Sequence, residues 1–209
     1  MKAHTQETQS KITPRDAIAL LKEGNARFVA SRLAERDLLE QVRDTALGQY
    51  PFATVLSCID SRVSAELVFD QGVGDIFSAR VAGNIVNEDL LGSMEFACKL
   101  AGTKVVVVLG HTACGAVKGA CDDARLGNLT ALLSKIKPAV EAVQEPADPN
   151  ARSSKNIDFV NAVAEKNVAL TIEAIRKDSP VLREMEDVGE IRIVGAMYDI
   201  ATGAVHFMD

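Results

Sequence analysis

The feature that most constrains this chain is one arrangement that occurs twice. An apolar, β-like run ends on residues that can ligate a metal. Phe52-Ala-Thr-Val-Leu-Ser57 runs into Cys58-Ile59-Asp60-Ser61-Arg62, and Lys104-Val-Val-Val-Val-Leu-Gly110 runs into His111-Thr112-Ala113-Cys114. In an open parallel sheet, sites form outside the carboxyl ends of the strands. Two adjacent strands of this kind would bring two thiols, an imidazole and a carboxylate to one point. Those donor types suit Zn²⁺, and Cys58, Asp60, His111 and Cys114 would complete one tetrahedral shell.

The rest of the chain supplies an α/β frame for such a site. Thr13-Pro14 followed by Asp16 reads as a helix start. A second helix is expected over 35–47, and residues 1–12 read as a loose arm. Strands are expected at 52–58, 75–81, 104–110 and 191–197, with a hairpin partner at 204–208 after the turn at 201–203. Between them lie a short helix at 65–70, a crossover helix at 89–100, a helix and polar loop over 126–150, and a long helix at 154–177. This alternation predicts a mostly parallel central sheet flanked by helices, organised as a single domain over 1–209 with residues 1–48 as a helical arm that packs on a partner subunit.

Composition removes several function classes. The net charge of −6 and the absence of Trp argue against nucleic acid. No apolar run approaches the ~20 residues needed to cross a bilayer. The polar first ten residues carry no signal-peptide core, which predicts a cytoplasmic protein, or a periplasmic one if a signal has been removed. Four cysteines in a chain of 209 residues, 47% of them apolar, do not require a disulfide framework. Cys98 falls on an apolar helical face and reads as core, and Cys121 reads as a small packing residue. His4, assigned to the arm, and His206, assigned to an edge strand, have no motif around them.

Four protein ligands would close a zinc site, whereas catalysis needs a position for water. Arg62 offers a way to open it. A guanidinium can take a carboxylate through two charge-assisted hydrogen bonds, which would draw Asp60 off the metal and admit water. Zinc would then make hydroxide available near neutral pH.

Cys58-x-Asp60-Ser61-Arg62 with His111-x-x-Cys114-Gly115 resembles the β-class carbonic anhydrases. The resemblance runs through Phe69-Asp-Gln-Gly-Val-Gly-Asp-Ile-Phe77, Arg80-Val-Ala-Gly-Asn84 and Gly92-Ser-Met-Glu-Phe96. It implies four parallel strands plus one antiparallel strand, a homodimer or tetramer, and zinc-dependent reversible hydration of CO₂ to bicarbonate. It assigns Cys58, His111 and Cys114 as permanent ligands and Asp60 and Arg62 as a catalytic dyad, with Asp60 able to act as a fourth ligand. Gln49, Phe77, Ala82, Phe96 and Gly115 match positions around the substrate, some reached across a dimer interface. Arg80 and Tyr198 match two members of an inhibitory bicarbonate site, but Val55 stands where that site has Trp. The chain is therefore expected to be of the plant-like type, without that site. Two alternatives stay open on the residues: a hydrolase of another cumulated substrate such as CS₂ or COS, and a regulatory protein with a permanently closed zinc.

Overall fold

The computed structural model describes residues 1–208. Five strands, β1 (Ala53–Ser57), β2 (Ile76–Arg80), β3 (Val105–His111), β4 (Arg192–Tyr198) and β5 (Val205–Phe207), form one sheet in the order β2-β1-β3-β4-β5. All neighbours are parallel except β4 and β5, which pair antiparallel. Every residue of β1 and β3 is buried. That explains why both read as continuous apolar runs, since a central parallel strand is covered on both faces.

Alternate residues point to opposite faces of the sheet, and the core divides accordingly. Ala53, Val55, Val105, Val107 and Leu109 join one cluster, and Leu56, Val106 and Val108 join another. The first face is covered from the N-terminal side. After α1 (Gln6–Ser10), α2 (Pro14–Val29) brings Ala17 and Leu21 onto it, α3 (Leu38–Asp44) follows, and α4 (Ala65–Val68) adds Ala65 and Val68. The second face is covered by α5 (Glu88–Glu95), which continues as a π-helical turn at Phe96–Leu100 and contributes Met94 and Cys98. Three short helices fill the end of the sheet near Cys58 and Cys114: α6 (Gly115–Cys121), α7 (Gly127–Ser134) and α8 (Lys137–Ala142). Then come α9 (Ile157–Asp178) and α10 (Pro180–Asp187), which complete the second face.

At 22 residues, α9 is the longest helix among the described residues. Asn156 caps its first turn, and Val160, Val163, Ala164, Val168, Thr171 and Ile175 make its buried stripe at helical spacing. β3 and β4 carry glycine where the helix crosses them, which leaves room for Val168. A Cβ on Gly110 would stand 2.6 Å from Val168 Cγ2, and one on Gly195 would stand 2.8 Å from Val168 Cγ1. Alanine at either position would push α9 outward.

Three expectations need correction. Residues 1–12 are not a loose arm throughout: Thr5 and Thr8 form a capping box for α1. The buried Gln9 anchors it, donating from Nε2 to Pro51 O at 2.7 Å and Ala101 O at 2.8 Å. His4 belongs to that anchored segment, its ring edge-on to Phe52 at 5.4 Å between centroids. The helix expected over 126–144 is two, broken at residues 135–136, with Pro138 in the first turn of the second. The second N-terminal helix starts only at Leu38, because Asp37 takes the cap position and accepts from Glu40 N.

Candidate metal centre

β1 and β3 are neighbours, with Ser57 opposite Leu109, so the residues just past β1 meet those at and just past the end of β3. There the donor atoms of Cys58, His111 and Cys114 all lie within 4.8 Å of one another, and all three residues are buried. The two sulfurs are 4.0 Å apart. Thr112 O lies 2.9 Å from His111 Nδ1. That contact is a hydrogen bond only with the proton on Nδ1, which leaves a lone pair on Nε2. Nε2 is fully buried and has no hydrogen-bond partner among the described residues, and such an atom costs about 1–3 kcal/mol if nothing satisfies it. Two sulfurs, an orphaned imidazole nitrogen and a carbonyl fixing the ring's far side make a donor set that suits zinc.

The thiols are electrostatically coupled. The hydrogen bond from Cys114 holds the Cys58 thiol below its ordinary range against burial, with help from His111 and the backbone N–H groups of Gly83 and Asp60. Cys114 is driven far up by the same bond, by burial and by the charge on Cys58. Of the two sulfurs Cys58 therefore gives up its proton the more readily, and a metal held by both would displace any proton that remains. The other cysteines stand apart from the centre: burial pushes both Cys98 and Cys121 up to about 11.

Asp60 is not among the clustered donors. Arg62 grips it as a fork, Nε donating to Oδ1 at 2.9 Å and Nη2 to Oδ2 at 2.7 Å, while the Arg62 backbone N–H donates to Oδ1 at 3.0 Å. These bonds hold its carboxyl far below the usual carboxylate range despite partial burial. Its Oδ2 remains 3.9 Å from His111 Nε2. An ionised acceptor thus stands beside the three donors without joining them.

The remaining candidates divide by place. Ala82 opens the 3₁₀ turn Ala82–Asn84, whose Gly83 N–H donates to Cys58 Sγ at 3.3 Å. Gly115 follows Cys114 as the first residue of α6, and a Cβ there would meet nothing within 4 Å. Gln49, Phe77 and Phe96 are elsewhere. Gln49 is exposed and precedes β1, so the strand, about 17 Å long at 3.3 Å per residue, separates it from Cys58. Phe77 lies opposite Thr54, early in β1, and packs edge-to-face on Phe96 at 6.2 Å. The two phenylalanines line an open groove of about 590 Å³ with Thr54 and Leu90.

Residues 53–205 match the family described as carbonic anhydrase. The chain belongs to the β-class carbonic anhydrases. Among its relatives, carbonic anhydrase 2 of Mycobacterium tuberculosis is 34% identical over 190 residues, covering 90% of each chain. The carbonic anhydrase of Mycolicibacterium smegmatis is 33% identical over 191 residues, covering 88% of each. The structure of the β-carbonic anhydrase CafA of Aspergillus fumigatus superposes with a TM-score of 0.71 at 29% identity, over 93% of this chain and 90% of that one. One of two tetrameric β-carbonic anhydrases of Sordaria macrospora gives a TM-score of 0.68 at 25% identity, over 79% and 84%.

In this β-class carbonic anhydrase, residues outside the expected set also shape the centre. The resemblance gives Arg80 a role only in an inhibitory site, yet its Nε donates to Cys58 O at 3.0 Å and its Nη2 to Asp60 O at 2.7 Å. It braces the backbone that carries one candidate ligand and the carboxylate. Ala113, between His111 and Cys114, is left-handed at φ 53°, which costs a non-glycine residue about 1–2 kcal/mol. Its N–H donates to Asn161 Oδ1 on α9 at 2.8 Å. Nothing local in the sequence marks Ala113 or Asn161, whereas the Gly83-Asn84 pair does carry a turn signal.

Proposed function

We propose that the chain hydrates CO₂ reversibly to bicarbonate and a proton, with Zn²⁺ held by Cys58, His111 and Cys114. The observation that carries this reading is the buried, unpartnered Nε2 of His111, facing two coupled sulfurs beside an Arg62-held carboxylate. Zinc, when bound, supplies Lewis acidity that provides a potent nucleophile from water near neutral pH.

The chain's own residues would do the rest. The Nδ1–H bond to Thr112 O keeps the His111 lone pair directed at the donor cluster. Arg62 occupies Asp60 from one side and keeps it ionised, so Asp60 can only accept. A lone pair of Oδ2 on the His111 side can take a hydrogen bond from the attacking oxygen and aim that oxygen's remaining lone pairs at carbon. Arg80 holds the peptide carbonyls on either side of Ile59 and fixes where the carboxylate stands. The same engagement of Arg80, with Val55 fully buried in β1, supports the absence of a separate bicarbonate site.

Gln49, Phe77 and Phe96 enter the proposal through a second copy of the chain. Ala82 and Gly115 stand by the centre within one chain, and the other three would meet the centre of a partner. Exposed apolar residues support such pairing: Phe96 is 51% exposed, and Leu38, Leu39 and Leu47 of the N-terminal region are 54%, 68% and 103% exposed. Stopped-flow CO₂ hydration by zinc-loaded protein tests the reading, with Arg62→Ala beside the wild type. Wild type should turn over CO₂, and Arg62→Ala should keep its zinc and lose nearly all activity. A zinc-replete wild type without hydration activity would refute the proposal, and an Arg62→Ala variant at wild-type rate would remove the dyad from it.

A further inference from the structure

We infer that Asn161 and Asn167 of α9 are positioning residues that hold both ligand-bearing loops of the centre in register. The inference rests on the proposed zinc site and concerns how that site is kept in shape. Cys58, followed by Asp60, lies on one loop, and His111 and Cys114 bracket the other. Each loop is supported by a left-handed turn, and each turn is tied by a side-chain amide to the same helix.

On the second loop, Ala113 sits at φ 53°. Alanine avoids this region because its Cβ crowds the following carbonyl, so an interaction that exists only in this conformation must retain it. The Ala113 N–H donates to Asn161 Oδ1 at 2.8 Å across 48 residues of sequence. Rotating Ala113 back to right-handed geometry would turn that N–H away and change the spacing of His111 and Cys114.

On the first side, Gly83 is left-handed at φ 71° and Asn84 follows at φ 43°. The Gly83 N–H donates to Cys58 Sγ at 3.3 Å, and its carbonyl accepts from Asn167 Nδ2 at 2.8 Å. Asn167 is 3% exposed, and Thr171, one turn further on, donates to Asn84 O at 3.4 Å. This turn thus partners the Cys58 sulfur and is itself pinned from α9.

A brace works only if it is rigid. α9 has 22 residues and lies against the glycine pair of β3 and β4 through Val168, the residue after Asn167. The two asparagines are six residues apart, a rise of about 9 Å, enough to reach two separate loops. Partners behind the ligands of a metal typically change its affinity by about 10–100-fold when removed, and the same range is expected here.

The test uses the full-length zinc protein. Zinc affinity is measured by competition with a chromophoric chelator, and ligand geometry by the visible spectrum of the cobalt(II)-substituted protein. Asn161→Leu should weaken zinc by about 10–100-fold and shift the cobalt bands. Asn161→Asp, which keeps an acceptor oxygen in the same place, should restore most of the affinity and the spectrum. Adding Ala113→Gly to Asn161→Leu should also restore them, because glycine takes the left-handed turn without being held there. If Asn161→Leu does not fold, Asn161→Ser, too short to reach Ala113, serves in the same comparison. Wild-type affinity and an unshifted spectrum in the truncated variant would overturn the inference. So would weakened zinc that Ala113→Gly does not recover, since that outcome assigns Asn161 to packing alone. A wild type that binds zinc but leaves CO₂ unhydrated refutes the proposed function and leaves this inference to be decided by the metal readouts. A wild type without zinc refutes both.

Discussion

Asp70 is the best place to test how the N-terminal helices are tied to the sheet. It follows α4, is 4% exposed, and accepts from Arg27 of α2, from Arg36 ahead of α3, and from Ala34 N at 3.1 Å. Arg36 also donates to its carbonyl. The Arg36 side chain is only 7% exposed, and its Nε has no partner of its own among the described residues, so the carboxylate is its main compensation. Asp70→Asn isolates that charge. Asn is isosteric, and it tolerates the left-handed φ of 46° found here. Leaving a buried guanidinium without its counter-charge costs about 3–5 kcal/mol. At roughly 2–4 °C per kcal/mol for a chain of this size, the thermal midpoint should fall by about 6–20 °C. Burial raises the carboxyl's pKa, but the bonds from Arg27, Arg36 and Ala34 outweigh it and leave the folded value below the usual one. The stabilisation is therefore complete above the unfolded-state pKa of about 3.9 and is lost as pH falls through the lower folded value. Urea melts of both proteins at one fixed concentration, from pH 7 downward, measure this. The gap should be largest at neutral pH and close only in acid. A gap below about 1 kcal/mol at pH 7 would refute the reasoning, because a surface pair has that value. So would a gap that widens on acidification.

Three further outcomes are expected. Cys114→Ser should lose most of its zinc in metal analysis of the purified protein, and with it part of its resistance to denaturant, because metal bound only by the folded chain adds directly to stability. Unchanged zinc would remove Cys114 from the shell. Sedimentation at micromolar concentration should show a dimer or larger, and a catalytically competent monomer would contradict the proposed partner-supplied residues. Hydration activity should be low in mild acid and rise toward roughly pH 8–9, because two thiolates make a zinc site less acidifying than one with three imidazoles, whose water has a pKa of about 7. Titration of the Asp60 carboxyl would not supply that rise, since Arg62 holds it well below the usual carboxylate range, and a flat profile in excess buffer would refute the assignment.

The parts of the fold that are legible in the sequence are those whose burial is decided locally. β1 and β3 are buried on both faces and appear as unbroken apolar runs, and α9 shows its stripe because one face alone is buried. The donors at the ends of β1 and β3 are legible for the same reason, as strand ends mark where side chains leave the sheet. α1 escapes a sequence reading because its attachment is not periodic. Only Gln9 of its five residues is buried, and what holds it is two carbonyls, 42 and 92 residues away. α10 does carry a signal, with Ser179 accepting from Leu182 N and Pro180 in the first turn, but it follows α9 after a single residue, so its start is masked by the end of the longer helix.

The candidates that one chain does not assemble point to a common physical cause. Within a single chain, β1 lies between Gln49 and Cys58 and is buried along its whole length, so no side-chain rotation brings Gln49 to the cluster. Phe77 and Phe96 face an open groove, where two aromatic rings against water leave apolar surface uncovered. An uncharged substrate such as CO₂ calls for an apolar wall, and water exclusion strengthens every charge interaction within it. The cluster has charge and donors in one chain, and the aromatic pair supplies apolar surface at another place on the same chain. A second copy related by a two-fold axis would satisfy both needs at once, since an isologous interface offers each centre the other chain's groove. Assembly and catalysis in the proposed enzyme then depend on the same surface. Changes to Phe77 or Phe96 would be felt in turnover and in association together, while changes to Asp60 or Arg62 would be felt in turnover alone.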